Sequence, residues 1–191
     1  MNLGSGNQSS AQFSVCGSNS SSPLANSSYQ NPLRAINNLK ALRIDQGVDY
    51  SGSGPVYAIG DGTVVSVIYG PSSGWENKAW ISYRLTNGLA AGDYVYVAEN
   101  CTPEVTVGQD VNSSVVLCNM VDSFPNIETG WAQPPTSGDI AMAYNQPNKG
   151  TATNFGQNFS QLLQLLGAPP GNISLSSSVN SQPLPLGWPT W

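Results

Sequence analysis

Between Arg43 and about Ala143, apolar residues come in short runs broken by turn residues. Val56–Ile59 (VYAI) and Thr63–Tyr69 (TVVSVIY) flank Gly60-Asp61-Gly62, which is a hairpin signal. Ala79–Leu85 (AWISYRL) and Asp93–Ala98 (DYVYVA) flank a turn at Asn87-Gly88. Glu104–Val107 and Val115–Met120 are separated by Gly108-Gln109-Asp110. Ile127–Trp131 and Ile140–Ala143 are the last predicted strands. Many short strands with closely spaced turns predict an all-β, largely antiparallel sandwich or barrel. One segment has a different period. In Asn154–Leu166, Phe155, Phe159, Leu162, Leu163 and Leu166 fall on one helical face, and Gly167 with Pro169-Pro170 ends the run.

The ends read differently. Residues 1–28 are rich in Ser, Asn and Gly without periodicity, and are expected to form a flexible arm. Tyr29–Leu42 is expected to lead into the β region with one short helical turn. The organisation predicted is therefore an arm at 1–28, a β domain at 29–150, a helix at 151–170 and a Ser/Pro-rich tail at 171–191. Trp188 and Trp191 in that tail are expected to pack back on the domain.

Composition narrows the chemistry. Only 9% of the 191 residues are Asp, Glu, Lys or Arg, so the surface polarity comes from amides and hydroxyls. Six basic residues stand against eleven acidic ones, which leaves no basic stripe for nucleic acid. There is no His, which removes the Ser-His-Asp triad, the Cys-His dyad and every His-containing zinc site. Gly52 and Gly54 form no nucleotide loop, because neither a Lys-Ser/Thr pair nor a helix follows. No run reaches the roughly 18 apolar residues of a membrane helix, and the N-terminus has no Sec-type signal. Of three cysteines, Cys101 and Cys118 can bridge neighbouring strands, leaving Cys16 in the arm; three free thiols are the alternative.

Arg43-Ile44-Asp45-Gln46-Gly47-Val48-Asp49-Tyr50, followed by Gly54-Pro55-Val56-Tyr57-Ala58-Ile59-Gly60-Asp61-Gly62-Thr63-Val64-Val65, resembles the M23 peptidases, the lysostaphin-like zinc endopeptidases that cut peptidoglycan cross-bridges. Val105–Val111 and Ile127–Gly130 resemble later motifs of the same family, in the same order. The resemblance covers about residues 43–132 and implies an M23-like antiparallel β-sandwich or hairpin core with one short C-terminal helix and flexible termini. It also implies a lost zinc site. Asp45 stands where the family has its first zinc-binding His, while Gly47 and Asp49 are kept. Phe124 and Asn126 would occupy the two positions of the His-x-His motif, and Ala98 that of a further His. Zinc prefers imidazole and thiolate donors, so no zinc and no other cofactor is expected.

Four acids remain as candidates. Asp45, Asp49, Glu99 and Glu128 would line one groove wall, as a hard-cation site (Asp45 and Asp49 first) or as an acid–base pair on a glycosidic bond. The plainer expectation is that Asp45 and Asp49 bond their own loop, with Glu99 and Glu128 paired to Arg43 or Arg34. Tyr50, Trp75, Asn126 and Trp131 are the candidate binding residues, since aromatics among amides suit sugars. The expected function is a non-catalytic M23-like module, virion-associated or extracellular, that contacts peptidoglycan or another glycan, or serves particle assembly with protein partners. Neither nucleic acid nor a membrane is an expected partner. The alternative is a cell-wall hydrolase with a repurposed carboxylate site.

Overall fold

The computed structural model describes Met1, Leu24 and residues 27–73, 78–121, 126–133, 138–144, 150–180 and 182–191. Most of the arm, including Cys16, and the candidates Trp75 and Phe124 lie outside the described residues. The strands are β1 Asn37–Ile44, β2 Val48–Tyr57, β3 Gly62–Tyr69, β4 Ala79–Leu85, β5 Tyr94–Glu99, β6 Cys101–Pro103, β7 Asp110–Val111, β8 Val116–Met120, β9 Asn126–Gln133, β10 Gly138–Asp139, β11 Thr151–Ala152 and β12 Ser178–Val179. Two helices, α1 Ile140–Ala143 and α2 Asn154–Leu165, complete the set with two single 3-10 turns. The first ten strands form one curled antiparallel sheet in the order β6-β8-β2-β9-β5-β4-β3-β7, with β1 paired to β2 and β10 to β9. The all-β antiparallel architecture predicted from the hydrophobic pattern is the one observed.

The middle strands are buried on both faces. In β4 only Arg84 is exposed, which fits the nearly unbroken apolar run AWISYRL. One face packs on α2 and carries the main core. The other carries a smaller cluster of Trp80, Tyr96, Ala98 and Ala132. Thr153 caps α2 by accepting from Gly156 N, and Gly167, at φ +91°, ends it. Phe155, Phe159, Leu162 and Leu163 are fully buried, as the helical period required. The tail returns across them: Trp188 meets Trp131 and Phe155 edge-on at 5.7 and 4.9 Å.

Several local expectations are corrected. Gly60-Asp61-Gly62 is not the turn of a hairpin, because β9, β5 and β4 lie between β2 and β3. The end of β2 pairs with β8, and Ile59 N donates to the Tyr83 hydroxyl, so the chain crosses the core instead of doubling back. The lead-in segment holds a turn at 32–35 and then β1, an eight-residue strand, instead of a helical turn. Glu104–Val107 forms no strand; its Glu104 N bonds Leu117 O before the chain turns away. Ile140–Ala143 is helical, since a four-residue apolar run carries no usable period.

Cys101 and Cys118 are joined by a disulfide between β6 and β8, 17 residues apart in sequence. Closing a loop of that size stabilises a fold by roughly 3 kcal/mol. Cys101→Ser with Cys118→Ser is therefore expected to lower the unfolding midpoint by roughly 6–12 °C, given about 2–4 °C per kcal/mol in a chain of this size. Calorimetry checks this.

Candidate carboxylate site

The loop between β1 and β2 puts Asp45 and Asp49 on either side of Gly47. Only glycine fits there: a Cβ would lie 2.5 Å from both Thr129 O and the Tyr96 hydroxyl. This accounts for the glycine between the two aspartates in local steric terms. Asp49 in β2 is opposite Glu128 in β9, and Glu128 is opposite Ala98 in β5. Carboxylate oxygens of Asp45, Asp49 and Glu128 lie within 4.8 Å of one another. All three residues are buried, at 0%, 5% and 2% exposure.

Such a cluster must be neutralised, since burying an uncompensated charge is costly. Arg43, at the end of β1, does this. Its Nε lies 3.0 Å from Asp45 Oδ2 and 3.0 Å from Asp49 Oδ2. Burial works against the Arg43 charge, but Asp49 and Asp45 outweigh it and hold the guanidinium protonated. Glu128 is handled differently. Burial first, then the charges of Asp45 and Asp49, push its carboxyl well above the ordinary carboxylate range, against the hydrogen bond donated by the Tyr96 hydroxyl. Burial and the neighbouring carboxyl groups thus favour the protonated form of Glu128. Tyr96 is itself fixed by stacking on Trp80 at 4.7 Å and 15°.

The site is closed from the C-terminal side. Gly150 N donates to Asp45 Oδ2 at 3.2 Å, and Thr153 N and Oγ1 donate to Asp45 O at 2.9 and 2.8 Å. A Cβ on Gly156 would lie 2.3 Å from Asp45 O, so the first turn of α2 sits directly on the loop. Asn172 bonds Leu42 and Ile44 just beyond. Within this packing Asp45 Oδ1 has no hydrogen-bond partner among the described residues.

A metal would use Asp45, Asp49 and Glu128, the cluster of metal-ligating side chains found among the described residues. The donor set does not fit the zinc of the resembling family. It contains no imidazole or thiolate, and a guanidinium already bridges two of the three carboxylates.

The sequence candidates divide. Asp45, Asp49 and Glu128 converge; Glu99 does not join them. Glu99 has a left-handed φ of +78° and accepts from Asn126 Nδ2 at 2.6 Å, while Asn100 Nδ2 donates to Asn126 Oδ1. Asn126 and Glu99 thus form a separate polar network beside the cluster. Tyr50 and Trp131 are corrected to core positions: both are 0% exposed, donating to Pro169 O and Asn158 Oδ1. Arg43 pairs with the aspartates and not with Glu99 or Glu128. Arg34 bonds the carbonyls of Asn31 and Ser113 and lies over the Tyr57 ring. Sequence reasoning missed the Tyr96 hydroxyl, whose role follows only from the pairing of β5 with β9.

The raised Glu128 carboxyl makes a pH prediction. A folded-state value above the unfolded one means the folded chain binds the extra proton, so stability falls as pH rises above the ordinary carboxylate range. Glu128→Gln keeps an acceptor for Tyr96 and removes the titration. Its unfolding midpoint is expected to gain on the wild type as pH rises from 5 to 8, as read by melts across pH.

No family model matches the chain, and no curated protein matches it. Among solved structures, it is similar to cbpa from L. salivarius REN, at 18% identity over 58% of this chain and 66% of that one, with a TM-score of 0.39. It is also similar to lysostaphin determined by NMR, at 15% identity over 83% of this chain and 61% of that one, with a TM-score of 0.47. The chain therefore spans less than two thirds of the length of either.

Proposed function

We propose that the chain is a non-catalytic, lysostaphin-like β module that contacts peptidoglycan or a related glycan, at a cell surface or in a virion, together with protein partners. The observation that carries this reading is the Arg43 guanidinium set between Asp45 and Asp49 in a buried cluster. A metal-dependent peptidase needs that space for a cation and an open position for water. The M23-like motif order supports descent from a wall-binding scaffold. The disulfide suits an oxidising environment outside the cytosol, and among the described residues no helix is long and apolar enough to cross a membrane.

The test is cosedimentation with purified cell walls, with soluble fragments assayed in parallel. The expected result is binding without release of fragments. Release that disappears in Asp49→Asn overturns the non-catalytic reading. One observation favours a second reading. Asp49 and Glu128 lie directly opposite each other across β2 and β9 in one carboxyl cluster, and burial beside Asp45 and Asp49 raises the Glu128 carboxyl, the direction the acid of a glycosidase pair requires. Under that reading fragments are released, and Glu128→Gln abolishes the release.

A further inference from the structure

A cavity of about 250 Å³ lies between α2 and the returning tail, away from the carboxylate cluster. Asn154, Gln157, Asn158, Gln161 and Leu184 line it. Four of these are amides at i, i+3, i+4 and i+7, which is one face of a helix. Helix α2 thus turns its apolar face to the sheet and an amide ladder to the tail.

The amides have two jobs. Asn158 is structural: its Oδ1 accepts from Trp131 Nε1 at 2.8 Å and Trp188 Nε1 at 3.2 Å, and its Nδ2 donates to Pro189 O at 2.8 Å. Asn154 Nδ2 ties down Gln182 O. Those bonds hold the helix and tail as fixed walls. Gln157 spends one donor weakly, on Asn154 Oδ1 at 3.4 Å, and its side-chain oxygen has no partner among the described residues. Gln161 is exposed and has no hydrogen-bond partner among the described residues. Two glutamine heads one turn apart therefore face a preformed cavity with hydrogen-bonding capacity to spare.

We infer that this cavity binds a neutral acetamido sugar through Gln157 and Gln161. Among the described residues no charged side chain lines it, so an ionic ligand finds no counter-charge in that lining. A carboxamide offers a donor and an acceptor side by side, which matches a ligand acetamido group in a two-bond pair and leaves capacity for ring hydroxyls. Leu184 supplies apolar surface for the acetyl methyl. The volume lies just below the roughly 300 Å³ at which drug-sized sites begin, which suits one sugar ring. The choice of a sugar rests on the glycan-contact reading above; the location of the site does not.

The probe is N-acetylglucosamine, titrated into the ¹⁵N-labelled full chain while side-chain amide resonances are followed. Glucose and alanyl-alanine amide are the comparison ligands. Saturable shifts of the Gln157 and Gln161 amides with N-acetylglucosamine, weaker with both comparison ligands, are expected. Gln157→Ala with Gln161→Ala weakens binding by roughly tenfold or more, as loss of two to three hydrogen bonds implies. Alanine is the best helix former, so the unfolding midpoint holds and a folding defect is not mistaken for lost binding. Silent amides, an unaffected double variant, or equal binding of glucose or the dipeptide overturns the proposal. If walls cosediment while these amides stay silent, this site fails and the function stands. If the sugar binds here and walls do not cosediment, the function fails and the site stands.

Discussion

Arg43→Met is expected to destabilise the fold by about 3–5 kcal/mol, the range for leaving buried charges without their partner, because Arg43 is 30% exposed but the Asp45 and Asp49 side chains are only 1% and 7% exposed. The methionine keeps much of the apolar stem, so the loss reports the guanidinium. Asp45 and Asp49 would then face each other and Glu128 under α2 with no cation between them. Gly150 N is the one other donor to the Asp45 carboxylate among the described residues, and it does not supply a charge. The unfolding midpoint should drop by roughly 6–20 °C at neutral pH. Calorimetry checks this. A loss below roughly 1 kcal/mol would class Arg43 with ordinary surface pairs, contrary to its place here.

The second large effect is at Trp131. Truncating a fully buried Trp to Ala costs about 3–5 kcal/mol. Here the ring also joins three parts of the fold. It belongs to β9, it meets Phe159 of α2 edge-on at 5.0 Å, and it shares the Asn158 acceptor with Trp188 of the tail. Trp131→Ala should lower the denaturant midpoint accordingly and expose residues 182–191 to limited proteolysis. Trp131→Phe, which keeps a ring but loses the Asn158 bond, should cost less. If Trp131→Ala were nearly neutral and only weakened wall binding, Trp131 would be a ligand contact and not a joint of the core.

What was legible in the sequence follows from the range of the interactions involved. The β4 and β5 runs and the α2 period are local patterns, and each reappears as the predicted element within a residue or two. The partner of β2 is not local. Val56–Ile59 and Thr63–Tyr69 look like the arms of a hairpin, yet β2 bonds β8 and β9, some sixty residues and more downstream. The site divides in the same way. Asp45, Gly47 and Asp49 lie within five residues of one another and could be read together, and motif order brought in Glu128. Glu99 was grouped with them because it stands next to Ala98 in the motif-matched stretch, but its left-handed backbone delivers the carboxylate to Asn126. Arg43 and Tyr96 acquire their roles only through strand register, which single-chain periodicity does not encode. Tyr50 and Trp131 were misplaced because aromatic composition does not distinguish the two faces of a sheet.

With the Arg43 guanidinium bridging Asp45 and Asp49, the Asp45–Asp49–Glu128 cluster should need no bound ion. Thermal unfolding of the wild-type chain with and without saturating Zn²⁺, and separately Ca²⁺, tests it most directly. A ligand at about a hundred times its Kd adds roughly 2.7 kcal/mol to a fold that binds it. The expected result is an unchanged midpoint with either ion. A saturable rise that is lost in Asp49→Asn would contradict it and make the cluster a cation site.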